Sequence, residues 1–368
     1  MIKLHQSVNR KPVDKILLTL TLAVTLFGIL MVYDASVVEA YQLFNDKYYF
    51  LKLQSQWAVL GFIALFITSK LPLDWFKKIA PLALIVSLIL LIIVLIPGLG
   101  QTTLGARRWL NLAGFNLQPT ELIKLSLSLY LANWLAKDRS FWLYLVLLGL
   151  ILGLVMLQPD LGTAIVIIFS AVLTYYISGA NIFYLISLGF MGILSGLALI
   201  FTSAYRKERL LTFFNPARDP LGSSYHIKQA LIAIGSGGLW GLGLGQSRQK
   251  YQFLPQVTTD SIFAIIAEEI GFFGAGLVIL ALFFIVIRAL RIARLAPDSF
   301  SRLLAAAIAG WIGIQAVINL AAMLALLPLT GVPLPFISYG GSSLIVTLAA
   351  VGLLLNISRF QLNPKKTS

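Results

Sequence analysis

Apolar runs about as long as a lipid bilayer is thick follow one another along almost the whole chain, and they limit its fold more than any other feature. A helix rises about 1.5 Å per residue, so it needs about 20 apolar residues to cross the hydrocarbon core. Ten runs approach that length, and the short second run can extend backwards toward Leu51. The runs occupy residues 16–33, 57–70, 80–97, 118–135, 142–158, 161–177, 182–202, 262–287, 303–327 and 340–357. This pattern predicts an all-α polytopic membrane protein with ten transmembrane helices.

The composition agrees with a membrane protein and excludes several kinds of chemistry. Charged residues make up 11% of the 368 positions and hydrophobic residues 59%, whereas a soluble domain carries about 25% charged residues. The absence of cysteine excludes disulfides and thiol chemistry. The two histidines, His5 and His226, are far apart in the sequence, which excludes a histidine-rich metal cluster. Any chemistry must therefore use carboxylates, basic groups, hydroxyls and amides.

Lysine and arginine are distributed unequally between the two sides of this ten-helix arrangement. With a cytoplasmic N-terminus, the inner segments hold sixteen of these residues and the short outer loops hold four. Cytoplasmic loops of membrane proteins carry the excess of positive charge. We therefore expect residues 1–15 and 358–368 to be cytoplasmic and residues 203–260 to form a long extracytoplasmic loop between helices 7 and 8. Residues 1–368 are expected to form one membrane domain.

The long loop, residues 203–260, is the least membrane-like part of the chain and is net positive. Its charge is compatible with anionic lipid headgroups and, to the same degree, with an anionic substrate. Within the loop, Tyr225 to Ile234 can form an amphipathic helix on the membrane surface. The glycines from Gly235 to Gly245 do not have the spacing of a nucleotide-binding loop, so they indicate tight packing or a re-entrant turn.

Three ionisable side chains lie in or beside the predicted helices near their outer ends. Glu121 and Lys124 are three residues apart and share one face of the fourth helix. A charge inside a membrane helix costs roughly 2.5–3.5 kcal/mol, so such residues are often functional, although a pair can also simply neutralise itself. Asp160 follows the fifth helix, where capping of the sixth helix explains it adequately.

Asp260 lies at the end of the long loop, one or two residues before the eighth helix. Capping of that helix is one explanation for this carboxylate. However, Asp260 is expected at the same depth as Glu121, Lys124 and Asp160, near the edge of the outer leaflet. Three separate stretches would then bring four polar groups to one level, as a site for a lipid-linked substrate with a charged head requires.

Two adjacent acidic residues, Glu268 and Glu269, lie two turns further along the eighth helix. Neighbouring side chains on a helix diverge by about 100°, so we expect that the two carboxylates cannot both face the same partner. Their predicted role is to support the structure or to line a cavity.

Several long motifs carry a resemblance to a known family. They are GARRWLNLAGFNLQPTELIKL, LQPDLGTA, NPARDPLGSSYHIKQALIAIGSGGLWGLGLGQSRQKYQFLP, TTDSIFAIIAEEIG and GVPLPFISYGGSS, followed by LLNISR. In order and spacing these stretches resemble the SEDS family of FtsW, RodA and SpoVE over essentially the whole chain. The forms RRW, GQSRQK and PLPFISYGGSS with NISR are more similar to the cell-division branch, FtsW, than to the elongation branch, RodA.

The resemblance implies a peptidoglycan glycosyltransferase that polymerises lipid II at the outer face of the bacterial cytoplasmic membrane. The implied partners are lipid II, a class B penicillin-binding protein, other divisome membrane proteins and the lipid bilayer, with no nucleic acid. The essential aspartate of the family falls on Asp260, and its buried acid and lysine fall on Glu121 and Lys124. The sequence departs from the family pattern just before Asp260, at residues 256–258, and at Ser261, where relatives commonly have phenylalanine.

The chemistry of glycan polymerisation fits these residue types. The acceptor hydroxyl must lose a proton as it attacks the anomeric carbon of the donor, and Asp260 is the candidate base. A diphosphate leaves without protonation, so a single inverting displacement needs no second acid; Lys124 or loop arginines can neutralise the leaving charge. The other candidate substrate-binding residues are Glu121, Arg107, Arg108, Gln118, Gln158, Asp160, Arg218, His226, Gln229, Arg248 and Lys250. No dedicated cofactor site is expected, and any divalent cation, Mg²⁺ or Mn²⁺, would be held largely by the phosphates of the substrate.

Three other functions stay open from the sequence alone. Segments interrupted by glycine and proline, such as GSGGLWGLGLG and LLPLTGVPLPF, are compatible with a transporter that flips lipid-linked precursors. A role in cell elongation like that of RodA is the second alternative. The third is a purely structural partner of a penicillin-binding protein, for which charges within the membrane would be unnecessary.

Overall fold

The computed structural model describes residues 12–103, 106–112, 115–137, 140–201, 204–214, 223–251 and 253–360. These ranges contain twelve helices and three short strands. In chain order they are α1 (Lys15–Phe44), α2 (Tyr49–Lys70), α3 (Leu73–Ile93), β1 (Gly100–Thr103), β2 (Ala106–Leu112), β3 (Phe115–Leu117), α4 (Pro119–Leu135), α5 (Phe141–Leu157), α6 (Leu161–Ile177), α7 (Ile182–Phe201), α8 (Ala204–Phe214), α9 (Ser223–Gly237), α10 (Ile262–Arg294), α11 (Ser299–Met323) and α12 (Gly341–Ser358).

Each of the ten predicted apolar segments coincides with one helix, α1 to α7 and α10 to α12. The second helix begins at Tyr49, which confirms its extension toward Leu51. Among the described residues, α1, α2, α3, α10, α11 and α12 have the length and hydropathy that a bilayer crossing requires, and α5, α6 and the first half of α7 are shorter apolar helices. The chain is a helical, polytopic membrane protein.

The helices of the bundle differ in how much of their surface is covered by protein. α11 and α12 are largely buried, whereas side chains such as Val146, Phe183 and Leu277 on outer helices are about 70% exposed. Large apolar side chains on the outside of a membrane bundle face lipid tails, which are as apolar as the side chains themselves. The two buried helices therefore form the centre of the bundle.

Close contact between α2 and α12 depends on a small residue and on polar side chains. At Gly352, a Cβ atom would collide with Thr68 and with the backbone of Leu65. The hydroxyl of Thr68 donates to the Ala349 carbonyl at 2.9 Å, and the amide of Asn356 donates to the Thr68 carbonyl at 2.9 Å. Small residues let membrane helices approach, and interhelical hydrogen bonds then add specificity.

A three-stranded antiparallel sheet between α3 and α4 is the one type of structure that the sequence analysis missed. β2 is the central strand, and Leu110 on it pairs with Gly100 on β1 and with Leu117 on β3. These strands are short, from three to seven residues. Their period-2 pattern is lost in a search for apolar runs of helical length. The all-α prediction is therefore confirmed for the helical bundle, with this sheet added to it.

The predicted long loop contains two helices of its own. α8 and α9 lie within residues 203–260, and α9 includes the predicted amphipathic segment from Tyr225 to Ile234. After α9, the described residues 238–251 and 253–261 make a series of turns. The expected helix at 225–234 is thus confirmed.

α10 is broken at Gly271, whose φ of 68° and ψ of −170° are not helical. Glycine is required there, because a Cβ atom would collide with the backbone of Leu239, Trp240 and Gly241. The break frees backbone groups of α10, and the glycine-rich segment satisfies them. Leu242 and the next residue donate to the carbonyls of residues 268 and 269 at 3.0 Å, and Phe272 N–H donates to the carbonyl of residue 238 at 2.9 Å. Tight packing of the glycine run is therefore confirmed.

Candidate active site around Asp260

Asp260 lies in a tight turn immediately before α10. The N–H of Ser261 donates to the Gln256 carbonyl at 3.2 Å, and the Ser261 hydroxyl donates to the Pro255 carbonyl at 2.9 Å. The cap position of α10 is Ser261, whose side chain makes no capping hydrogen bond. Asp260 is half-buried and lies one residue before that cap position. Asp260 thus lies two residues before the first residue of α10, and its role as a cap stays a prediction.

The backbone of the Asp260 turn is fixed through three consecutive carbonyls, those of residues 258–260, which accept hydrogen bonds from other parts of the bundle. Tyr339 N–H donates to the first at 2.8 Å, the Ser338 hydroxyl to the second at 2.6 Å, and the Asn319 amide to the third at 2.8 Å. Asn319 belongs to α11, and the other two donors belong to the connection between α11 and α12, residues 324–340. The backbone that carries the carboxylate is thus fixed to the centre of the bundle.

This connection, residues 324–340, enters the bundle. Phe336 and Ile337 are buried, and Gly28 on α1 leaves room for their backbone. Gly331 has a φ of 74° and faces the Asp260 carboxylate, because a Cβ atom built on it would lie 3.4 Å from Oδ2 of Asp260. Both the backbone angle and the space at this position favour glycine.

The predicted pair on α4 is formed and buried. Nζ of Lys124 lies 2.8 Å from Oε2 of Glu121, and both side chains are 3% exposed. The ammonium also donates to Oε1 of Gln315 at 2.7 Å and lies over the ring of Trp311. A resting ion pair between Lys124 and Asp260 would weaken Asp260 as a base. In the described part of the chain, Lys124 makes no such pair.

The beginning of α6 packs against the same connection. A Cβ atom on Gly162 would collide with Val332 and approach the Thr330 carbonyl. Asp160 caps α6, because its two carboxylate oxygens accept from the N–H of Thr163 at 3.1 Å and from its hydroxyl at 2.9 Å. The capping explanation of Asp160 is confirmed. Its role in substrate binding stays a prediction.

Arg108 on β2 contacts the turn between α5 and α6. Its guanidinium donates to the Gln158 carbonyl at 2.9 Å and to the Pro159 carbonyl at 2.5 Å. The side chain of Gln158 is fully buried and donates to the Leu91 carbonyl at 3.3 Å. Both predicted substrate-binding residues therefore join the sheet and α3 to the turn that precedes α6.

Glu268 and Glu269 bind one segment of the long loop, residues 245–250. Glu269 accepts from the N–H groups of Gly245 at 3.1 Å and Ser247 at 3.0 Å. Glu268 accepts from the Ser247 hydroxyl and from the Arg248 N–H. The expectation that the two carboxylates cannot face the same partner is wrong, because the loop segment curves around the helix and presents donors to both.

Lys250 ends that segment and is 3% exposed. Its ammonium lies 3.0 Å from Oε1 of Glu269 and 3.1 Å from Oδ1 of Asp34 on α1. Burial disfavours the charged ammonium, but the hydrogen bonds to Glu269 and Asp34 outweigh this and raise the pKa of Lys250. Lys250 therefore joins the loop to α1 and α10. A direct contact with substrate stays a prediction for this residue.

His226 on α9 contacts the residue that follows Asp260. Its Nε2 atom lies 2.5 Å from the Ser261 hydroxyl oxygen. The hydroxyl hydrogen is used in the bond to Pro255, so Nε2 must be the donor to Ser261. A phenylalanine at position 261 could not accept this bond. The departure from the family pattern at Ser261 therefore coincides with a specific contact to α9.

The other predicted substrate-binding residues lie at separate places. Arg107 donates to the Leu95 carbonyl at 3.4 Å, and the backbone N–H of Gln118 donates to the Ser342 hydroxyl at 3.0 Å. Gln229 is half-buried on α9, and Arg248 is exposed. Arg218 lies outside the described residues. Substrate binding by these five residues stays a prediction.

Sequence reasoning missed Gln315 and Asn319, the two amides of α11 that reach the site. Both are buried, and they are four residues apart, on one face of the helix. Two amides at this spacing inside an apolar helix would have been a usable signal, because a buried polar side chain needs a partner.

Within the described ranges, no three His, Asp or Glu side chains come together as a metal site. The divalent cation held by substrate phosphates stays a prediction, and no step of the chemistry is assigned to it.

A family model described as "Cell cycle protein", which covers FtsW, RodA and SpoVE, matches residues 14–363. The chain is 42% identical over 354 residues to a "Probable peptidoglycan glycosyltransferase FtsW" of Trichlorobacter lovleyi, covering 94% of this chain and 93% of that protein. It is 40% identical over 355 residues to the "Stage V sporulation protein E" of Bacillus subtilis, covering 94% of this chain and 97% of that protein.

Two solved structures have the same fold. One is described as "Structural coordination of polymerization and crosslinking by a peptidoglycan synthase complex", with a TM-score of 0.77, 30% identity, and coverage of 94% of this chain and 98% of that chain. The other is the rod shape determining protein RodA of Thermus thermophilus, with a TM-score of 0.70, 30% identity, and coverage of 95% and 98%.

Proposed function

We propose that this chain, which belongs to the FtsW, RodA and SpoVE family and is a peptidoglycan glycosyltransferase, polymerises lipid II with Asp260 as the general base. The single observation that supports the role of Asp260 as base is the fixed backbone of its turn. Three consecutive carbonyls, those of residues 258–260, are bonded to buried elements, while the side chain of Asp260 is half-buried rather than enclosed. A carboxylate on a fixed backbone is suited to proton transfer at a defined position.

The reaction is an inverting displacement. Asp260 takes the proton of the acceptor hydroxyl as that oxygen bonds to the anomeric carbon of the donor. The bond from this carbon to the diphosphate oxygen breaks, and the undecaprenyl diphosphate leaves with its negative charge. Because the leaving group needs no proton, one carboxylate is sufficient. Asp260 supplies that carboxylate.

The Glu121 and Lys124 pair is connected to this site through Gln315. The ammonium is buried and reaches the connection through Gln315, so its first effect is on the structure that surrounds Asp260. Arg248 is exposed beside the buried Lys250, which makes it the candidate among the loop basic residues for the leaving diphosphate.

All ten apolar helices cross the cytoplasmic membrane, with both termini in the cytoplasm and residues 203–260 outside. The agreement of the ten predicted segments with ten helices and the excess of lysine and arginine in the inner segments support this topology. The synthesis is septal, as the relatives named FtsW suggest, and the partners are a class B penicillin-binding protein and other divisome membrane proteins. The similarity to a chain of a peptidoglycan synthase complex supports such a partner.

The catalytic role is tested by lipid II polymerisation with Asp260→Asn protein bound to its penicillin-binding partner. Asn keeps the size of Asp but cannot act as a base, so we expect normal folding and a rate lowered roughly 10²–10⁴-fold. Asp298→Asn is the matched control. Asp298 is a true cap, accepting from the N–H and hydroxyl of Ser301, and Asn caps about as well as Asp. A wild-type rate for Asp260→Asn would remove Asp260 from the mechanism.

The same assay separates the enzyme from a transporter. We expect the wild-type protein to make polymer. Movement of lipid II from one leaflet of the vesicle membrane to the other, without polymer, would instead support a flippase. For the topology, single cysteines can be placed at the exposed positions Gln246 and Ser299, because the chain has no cysteine. An impermeant reagent added outside should label position 246 and spare position 299; the opposite pattern would refute the orientation.

A further inference from the structure

Asn319 lies at the centre of the bundle and makes two hydrogen bonds with one amide group. Its Nδ2 donates to the Asp260 carbonyl at 2.8 Å and to the Val332 carbonyl at 2.8 Å. Both partners are acceptors, so the amide must present its NH₂ group to them and its orientation is fixed. The side chain is 2% exposed, so its NH₂ group is shielded from water by the surrounding protein. One side chain thus ties the Asp260 turn to the connection between α11 and α12.

The second bond matters because of the residue next to Val332. Gly331 is the part of the connection that faces the carboxylate, with its Cβ position 3.4 Å from Oδ2 of Asp260. Asn319 therefore holds the residue that carries the carboxylate and, one residue away, the backbone that lies against it. The two bonds together set the position of the carboxylate relative to this wall of the site.

Gln315, one turn earlier on α11, repeats this arrangement for the next residue of the connection. Its Nε2 donates to the Pro333 carbonyl at 3.0 Å, and its Oε1 accepts from Lys124 at 2.7 Å. Two amides on one face of α11 thus hold the consecutive carbonyls of residues 332 and 333. The buried pair on α4 and the Asp260 turn are connected to one short piece of backbone.

We propose that Asn319 is a positioning residue for the Asp260 carboxylate in glycan polymerisation, acting through its bonds to the Asp260 and Val332 carbonyls. The inference rests on the proposed role of Asp260 as base. Asn319 does not touch the substrate. Its loss leaves the buried Val332 carbonyl and the part-buried Asp260 carbonyl without their donor and lets the turn move relative to the connection. A displacement of about 1 Å at a reacting group can lower a rate on the order of 10²-fold.

The matched control for this proposal is Asn356 on α12. Its amide is also buried and also donates to two carbonyls, those of Thr68 at 2.9 Å and Leu71 at 2.6 Å. These partners belong to the end of α2 and not to the Asp260 site. Asn319→Leu and Asn356→Leu therefore remove the same pair of bonds at two places, and only the first place bears on catalysis.

Lipid II polymerisation by the full-length, partner-bound protein is the test. We expect Asn319→Leu to lower kcat about 10–100-fold with KM changed less than about 3-fold, and Asn356→Leu to keep the wild-type kcat at an equal loss of thermal stability. Asn319→Ser keeps one donor and should be intermediate, which preserves the test if Asn319→Leu does not fold. Wild-type kcat in folded Asn319→Leu or Asn319→Ser would overturn the proposal.

A double-mutant cycle with Asp260→Asn distinguishes positioning from general support. If Asn319 acts through the carboxylate, Asn319→Leu should have little further effect on the residual rate of Asp260→Asn. A reduction by the same factor in both backgrounds would overturn the positioning role. Failure of the proposed function is visible separately, because it requires full activity in the single variant Asp260→Asn.

Discussion

The pair formed by Glu121 and Lys124 can be tested as structure and as chemistry by removing its charges singly and together. Lys124→Met removes the ammonium and leaves Glu121 buried beside an apolar side chain. Glu121→Gln leaves the ammonium buried with neutral amide oxygens, that of Gln315 and that of the introduced side chain, as acceptors in place of a carboxylate. The double variant contains neither charge and keeps side chains of similar size.

The distances and burial give the expected magnitudes. At 2.8 Å, two unit charges attract each other by roughly 6 kcal/mol at an effective dielectric constant of about 20. Much of this attraction is offset by the cost of burying both charges, since each side chain is 3% exposed. Removal of one partner should therefore destabilise the protein by about 3–5 kcal/mol, whereas the double variant should be close to wild type in stability.

Thermal unfolding and lipid II polymerisation, measured on the same preparations, separate the two effects. Asp74 and Lys77 provide the control, because they have the same spacing and a distance of 3.0 Å but the Asp74 side chain is 81% exposed. Asp74→Ala should cost less than about 1 kcal/mol. In the double variant of the buried pair we expect restored stability with polymerisation still lowered about 10-fold or more, and Lys124→Arg should retain more activity than Lys124→Ala.

Two results would refute this reasoning. Wild-type polymerisation by the stable double variant would mean that the pair only neutralises itself and that Lys124 has no part in the reaction. An unstable double variant, no better than the single variants, would mean that the buried charges stabilise the bundle beyond their compensation of each other.

The remaining predictions concern one glycine and one aspartate. Gly331→Ala and Gly98→Ala should each cost about 1–2 kcal/mol, because φ is 74° and 90° at these positions, but only Gly331→Ala places a methyl group against Asp260 and should slow polymerisation about 10-fold or more. Equal rates in the two folded variants would contradict the contact with the carboxylate. Asp14→Ala removes the cap of α1 and the ion pair with Arg288, so unfolding should require about 2.5–4 kcal/mol less, with normal polymerisation per folded molecule. Unchanged stability in a denaturation experiment would show that neither the cap nor the ion pair with Arg288 stabilises the fold.

The number, order and type of the membrane helices could be predicted because they depend on local sequence. A helix in a bilayer must satisfy its own backbone hydrogen bonds and present about 20 apolar residues to lipid, and neither condition involves a distant part of the chain. Asp160 as a cap and α9 as an amphipathic helix also follow from neighbouring residues. Asp260 could be singled out because it ends the loop and falls on the essential aspartate of the family that the motifs resemble.

The partners of the polar side chains were decided by tertiary structure. Asn319 and Asp260 are 59 positions apart. Neither stretch of sequence predicts that the Asn319 amide will donate both to the Asp260 turn and to the connection between α11 and α12. The break of α10 at Gly271 depends on the close approach of Gly241 from the long loop. Glu268 and Glu269 share a partner because that loop curves around their helix. Such contacts arise when packed elements place donors and acceptors together in a buried space, where an unpaired polar group is costly, and this depends on all the elements at once.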